Sequence, residues 1–221
     1  MLVVHLPLTE YTEALEIQKK IVKKRIAGRS PDVLLLLEHP PTITLGKRGT
    51  ESHLLVSAED LKSRGIALHS VDRGGEATYH GPGQIIGYPI MDLKRAGLSI
   101  RKYVYQLEET MIAALEEFEV RGFRRDGKVG VWTGDHDKIG SIGVRVLRRV
   151  TYHGFSLNVN LSVDPNPLMV SCGMPDIRII SLNDLLDHPT ETLSAMDSVA
   201  RSFARVFRVE LEDTSLQSAL E

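Results

Sequence analysis

The sequence predicts a mixed α/β (α+β) fold, a single domain with a mixed, largely antiparallel sheet flanked by helices. Three observations carry this expectation. Short apolar runs follow one another with only turns between them, and longer stretches with helical spacing are interleaved among them. Residues 33–37 read Val-Leu-Leu-Leu-Leu, an unbroken apolar run of the kind found in a strand covered on both faces. No linker or low-complexity stretch divides the 221 residues, and a hydrophobic share of 42% is enough for one sizeable core.

Each element has its own signal. Residues 2–6 are short and apolar, a strand. Residues 9–27 carry Tyr11, Leu15, Val22 and Ile26 at helical spacing, and Gly28 stops the helix. The run at 33–37 is the next strand; Pro40 and Pro41 end it, and 42–45 resumes as a strand. Ser57 with Asp60 forms an acidic variant of the capping box, opening a short helix that ends near Gly65. A strand at 66–71 leads into a glycine-rich loop, and 84–91 is a strand again. Ser99 caps a long helix through residue 119, with Tyr103, Leu107, Ile112 and Leu115 among its apolar positions. Strands follow at 129–133, 141–147 and 155–161, and Asp164-Pro165-Asn166-Pro167 breaks the pattern. A last helix spans 192–207. The domain is expected to occupy residues 1–212, with a frayed, flexible tail at 213–221.

Composition excludes several classes. A net charge of -2 argues against a nucleic-acid binder, which needs a basic footprint. The single cysteine rules out an intramolecular disulfide, so nothing points to an oxidising compartment. The start, MLVVHLPLTEY, lacks the basic and long apolar segments of a signal peptide. No run approaches the roughly 18 apolar residues of a membrane span. A cytoplasmic protein is expected. Basic residues cluster locally, at Arg121, Arg124, Arg125 and Lys128 and again at Arg145, Arg148 and Arg149.

The residues that could carry chemistry are few. Gly74, Gly75, Gly81 and Gly83 crowd one loop with Pro82, where glycine lets backbone approach a ligand and proline stiffens the turn. The loop is neither a phosphate-binding P-loop nor a dinucleotide fingerprint, and a purely structural turn is an equal reading of the glycines. Thr-Tyr-His-Gly is written twice, at 78–81 and 151–154. His80, His153 and Cys172 are a possible zinc set, but they lack the short ligand spacing of recognisable sites, so no metal is expected. Cys172 is a small buried hydrophobe in one reading and a nucleophile in the other. The second requires a nearby cation that favours the thiolate. Lys138, at the head of Ile139-Gly140-Ser141-Ile142-Gly143, is either a surface charge or that cation.

Several motifs together resemble the lipoyl(octanoyl) transferase family. They are His39-Pro40-Pro41 with Thr44-Leu45-Gly46, then Arg73-Gly74-Gly75-x-x-Thr78-Tyr79-His80-Gly81-Pro82-Gly83-Gln84. Lys138-Ile139-Gly140-Ser141-Ile142-Gly143-Val144-Arg145, residues 151–160 and Cys172-Gly173 complete the set. Order and spacing agree over residues 35–185. Departures are Ser141, where alanine is common, and Met174, where a smaller aliphatic is expected; both bear on pocket size.

The resemblance implies the biotin/lipoate protein ligase catalytic fold. It also implies transfer of an octanoyl or lipoyl group, through a cysteine thioester, from acyl carrier protein to a specific lysine of a lipoyl domain. The acceptors would be the E2 subunits of 2-oxoacid dehydrogenases and the glycine cleavage H protein. By position, Cys172 would be the nucleophile and Lys138 the residue that lowers its pKa. Arg73, Gly74, Gly75, Glu76, Ala77, Thr78, Tyr79 and His80 would bind substrate, with Ser141, Ile142 and Gly143, and with Gly154, Phe155 and Ser156. Both Thr-Tyr-His-Gly copies would line one cleft, their tyrosines and histidines supplying walls and polar contacts. A monomer without a cofactor is implied. The alternatives are an ATP-dependent lipoate–protein ligase on the same fold and a non-catalytic acyl-binding module.

Overall fold

In the computed structural model, which describes residues 1–170, 174 and 176–221, the chain opens with strand β1 (Leu2–Leu8) and helix α1 (Tyr11–Ile26). It returns as β2 (Val33–Glu38), parallel to β1 with Val3 opposite Leu34. A parallel return needs a crossover, and α1 supplies it. The apolar run is central as expected: Val33 through Leu37 are fully buried. Strand alternation divides them between two cores. Leu34 and Leu36 face α3 (Ile100–Glu116) and α4 (Thr192–Phe207), meeting Leu107 and Phe203. Val33, Leu35 and Leu37 face α1 on the other side, meeting Ile17 and Ile21.

β6 (Gln84–Ile90) runs antiparallel to β2, and β10 (Val150–Asn158) antiparallel to β6. The 11-residue β9 (Asp137–Leu147), β8 (Lys128–Trp132) and β7 (Phe123–Arg125) continue outward. β11 (Arg178–Ile179) adds to the start of β9, with Ile179 opposite Lys138. A small sheet of β4 (Ala67–Ser70), β3 (Thr42–Leu45) and β5 (Ala77–His80) lies apart from the large one. It is covered by α2 (Ala58–Ser63), whose N-terminus carries the expected capping box between Ser57 and Asp60. Ser99 likewise caps α3, its hydroxyl accepting from the Lys102 amide at 3.2 Å.

Several boundaries differ from expectation. Residues 77–80, read as loop, are β5, because they pair residue by residue with Thr42–Leu45. β10 starts at Val150 and so takes the second Thr-Tyr-His-Gly into the sheet, since a tight hairpin returns directly from β9. It stops at Asn158, where the Val159 and Asn160 amides turn away to share the Gly83 carbonyl, each at 2.9 Å. α3 ends at Glu116, before Glu119 adopts φ 59°. The last residues do not stand apart as a frayed tail: β12 (Glu212–Asp213) pairs with β1, and Ser215 caps α5 (Leu216–Leu220). Ala219, with Leu216 and Leu220, packs onto the α1 side of the core.

Candidate active site

The two Thr-Tyr-His-Gly copies meet at Tyr11. In the first, alternation along β5 turns Thr78 and His80 into a cavity while Tyr79 joins the core of the small sheet. In the second, Tyr152 packs on the α1 side and His153, at φ 55°, turns into the same cavity. A non-glycine residue in that region costs about 1–2 kcal/mol, and Gly154 follows it. The Tyr11 ring lies 5.7 Å from His80, 6.4 Å from His153 and 5.1 Å from His39. Histidines, not tyrosines, are therefore what the two copies present to the cavity.

Lining residues come from three stretches singled out in the sequence: Arg73, Thr78 and His80; Ser141, Ile142 and Gly143; Gly154, Phe155 and Ser156. Register explains the last two groups, since Ser141 pairs with Ser156 and Gly143 with Gly154 on adjacent strands. Gly154 also approaches β6 so closely that an added Cβ would lie 2.0 Å from the Gly87 carbonyl oxygen. The cavity is narrow, about 20 Å³, room for roughly one water. Gly74, Gly75, Glu76, Ala77 and Tyr79 do not line it. Gly74 and Glu76 act through backbone: Glu76 and Gly74 carbonyls accept from Arg73, and the Gly74 amide donates to Val144 at 3.0 Å. Buried Arg73 also donates to the Thr44 hydroxyl at 2.7 and 3.0 Å, which ties the loop to β3.

Sequence reasoning missed Tyr11, Tyr88, His39 and Asp72 as parts of this site. Tyr11 and Tyr88 line the cavity, and His39 braces Tyr88. Hydrogen bonds fix each histidine's tautomer. His39 Nδ1–H donates to the Thr9 carbonyl at 2.6 Å, leaving Nε2 to accept from the Tyr88 hydroxyl at 2.8 Å. His153 Nε2–H donates to Asp72 at 2.9 Å, while the Tyr11 hydroxyl stands 3.3 Å from Nδ1. His80 Nδ1–H donates to Gln84 Oε1 at 2.8 Å, and Gln84 Nε2 donates to Asn158 Oδ1 at 2.8 Å. Asn158 in turn donates to the Ile180 carbonyl at 2.8 Å. Burial disfavours imidazolium, pushing His39 and His153 down to about 4 and His80 well below the usual range. Burial likewise raises Tyr11 to about 12. Burial opposes ionisation of Asp72, yet hydrogen bonds from His153 and Tyr152 hold its carboxyl below the ordinary value.

Lys138 is buried, not a surface charge; its ammonium lies 5.4 Å from the Trp132 ring centroid. Its carbonyl accepts the Ile180 amide at 3.1 Å, so Ile180 joins the Lys138 strand to the network that ends at His80. Cys172 lies outside the described residues. Its flanks are placed: the Val170 amide donates to His53 at 2.8 Å, and β11 docks beside Lys138. Arg148 and Arg149 form the β9–β10 turn, ten and eleven residues from Lys138, beyond the roughly 30 Å of strand that ends at Leu147. They do not border the Lys138 end of the cavity. Among the described residues, no group of three or more His, Cys, Asp or Glu is placed to hold a metal ion.

Comparison with known proteins adds to this geometry. The family described as lipoyl protein ligase A/B catalytic domain matches residues 10–204. An octanoyltransferase of Caldicellulosiruptor saccharolyticus is 42% identical over 207 residues, covering 93% of this chain and 88% of that one. An octanoyltransferase of Acidobacterium capsulatum is 42% identical over 217 residues, covering 92% and 88%. Among solved structures, a bipartite lipoate protein ligase from Thermoplasma acidophilum superposes with a TM-score of 0.74 at 14% identity, covering 99% of this chain and 89% of that one. The last likeness is one of fold.

Proposed function

The chain belongs to the family of lipoyl protein ligase A/B catalytic domains, and on that premise we propose how it works as an octanoyltransferase in lipoate biosynthesis. The donor is octanoyl-acyl carrier protein. The Cys172 thiolate attacks its thioester carbon, a new C–S bond forms, and the carrier's C–S bond breaks with the carrier thiol taking up a proton. A lysine amine of a lipoyl domain then attacks the acyl-enzyme, forming an amide, losing a proton and returning the thiol. Splitting the transfer lets each step run from an activated acyl group, so no nucleotide is consumed. Acceptors are the lipoyl domains of 2-oxoacid dehydrogenase E2 subunits and the glycine cleavage H protein.

Lys138 supports both steps. A cation held beside the thiol favours the thiolate, and an amine within reach can pass the proton between entering and leaving groups. The observation that carries this reading is convergence. Three separated segments line one narrow cavity, and the strand that supplies Ser141 to Gly143 carries a buried lysine, Lys138, as its second residue. Its walls are backbone and apolar carbon where Ile142, Gly143, Gly154 and Phe155 stand, which suits an acyl chain. The enzyme acts as a monomer in the cytoplasm, where its single cysteine stays reduced; no helix among the described residues is long and apolar enough to cross a membrane.

The test is a transfer assay without nucleotide. Enzyme, octanoyl-carrier protein and a lipoyl domain should give an octanoyl amide on the acceptor lysine. Transfer that appears only with ATP and free octanoate would instead identify an ATP-dependent ligase.

A further inference from the structure

We propose that Tyr11 is the end wall of the acyl site and sets the chain length the enzyme accepts. This deepens the acyl-transfer reading and rests on it. Position along the sheet gives the order of the site. From Lys138, β9 runs to Ser141, paired with Ser156, then to Gly143, paired with Gly154, and then to Val144, paired with His153. Along β9 and β10, His153 is therefore the lining residue farthest from Lys138, and there Tyr11 stands with its hydroxyl 3.3 Å from His153 Nδ1. From Ser141 to Val144 is three residues, roughly 10 Å at about 3.4 Å each. The seven C–C bonds of an octanoyl group, about 1.5 Å apiece, give a contour of about 10 Å. An eight-carbon chain whose carbonyl lies near the serines would end at the Tyr11 ring.

The cavity is narrow, so an entering chain must widen it, and depth is set by the wall that yields least. Tyr11 is such a wall. It is 2% exposed, sits at the start of α1, and its ring packs against His39, His69, His80 and His153. Tyr88 stands beside it, braced through His39 to the Thr9 carbonyl. A methyl group pushed past this wall would displace a buried, hydrogen-bonded phenol. Short of the wall, each added methylene gains about fourfold, the factor that about 0.8 kcal/mol gives at 1.4 kcal/mol per tenfold.

The experiment measures kcat/KM for hexanoyl-, octanoyl-, decanoyl- and dodecanoyl-carrier protein with a lipoyl-domain acceptor. The wild-type protein should rise from hexanoyl to octanoyl and fall at least tenfold by dodecanoyl. Tyr11→Ala should move the optimum to decanoyl or longer and raise the decanoyl-to-octanoyl ratio about tenfold or more, while Tyr11→Phe, which keeps the ring, keeps the octanoyl optimum. Tyr11→Leu serves if Tyr11→Ala does not fold, with thermal melting as the check. A folded Tyr11→Ala or Tyr11→Leu protein that transfers octanoate with an unmoved optimum overturns the end-wall assignment. Wild-type protein that transfers no acyl chain at all overturns the acyl-transfer reading itself, a different result from an unmoved optimum.

Discussion

Lowering the pH from 7.5 to 5 is expected to remove roughly 4 kcal/mol of folding stability through the two histidines His39 and His153. Both are buried, and burial holds each at about 4 against an ordinary 6.5. The sign follows from proton counting. Between about 4 and 6.5 the unfolded chain binds a proton at each site that the folded chain refuses, so stability falls as pH falls through this window and is constant above it. At pH 5 each site lies about 1.5 units below its unfolded value, which amounts to roughly 2 kcal/mol. His80, held lower still by burial, acts in the same direction. Asp72, also lowered, acts in the same direction, but it loses its stabilising contribution only as pH falls below the ordinary value of 3.8, outside the window. Against a typical 5–15 kcal/mol, a loss of this size is large. Trp132, the chain's single tryptophan and fully buried, reports unfolding by fluorescence. Urea titrations at pH 7.5, 6.5, 5.5 and 5.0 should give a flat value above about pH 7 and a steady decline below 6.5. A stability at pH 5 within about 1 kcal/mol of that at pH 7.5 would mean that the histidines charge inside the fold, and the proton-counting argument would be wrong.

Two further perturbations probe other parts of the account. Gly83→Ala places a side chain at φ 85° with its Cβ 1.7 Å from the Asn160 carbonyl oxygen. Left-handed backbone at about 1–2 kcal/mol and overpacking at about 1–3 together predict a melting temperature lower by roughly 5–15 °C; a change under about 3 °C would mean that residues 159–161 move aside freely. Lys138→Ala should leave the melting temperature of the folded protein measurable but move the pH profile of Cys172 alkylation upward by about one unit or more, the low end of what an adjacent cation does; an unmoved profile would separate Lys138 from the thiol.

How far the sequence could be read follows from which interactions are local. The Val33–Leu37 strand and the Ser57 and Ser99 caps were legible because the residues that make them are adjacent or three apart. The three cavity-lining stretches were legible through motif order, although only Arg73, Thr78 and His80 of 73–80 reach the cavity. Tyr11 was not, because its partners His39, His80 and His153 lie 28 to 142 residues away and no local pattern marks it. The second Thr-Tyr-His-Gly was expected ahead of a strand and lies within one, since His153 at φ 55° interrupts the alternation that would announce it. Residues 215–221 are polar enough to read as a tail. Only pairing of β12 with β1 and the burial of Ala219 against the α1 core place them.

The central claim is that the acyl group passes through Cys172. The most direct measurement is intact mass of the enzyme after mixing with octanoyl-carrier protein alone, followed by peptide mapping. The account predicts a gain of one octanoyl group, located on Cys172, that disappears on addition of a lipoyl domain, and no transfer by Cys172→Ala. A Cys172→Ala protein that octanoylates a lipoyl domain at the wild-type rate would contradict it.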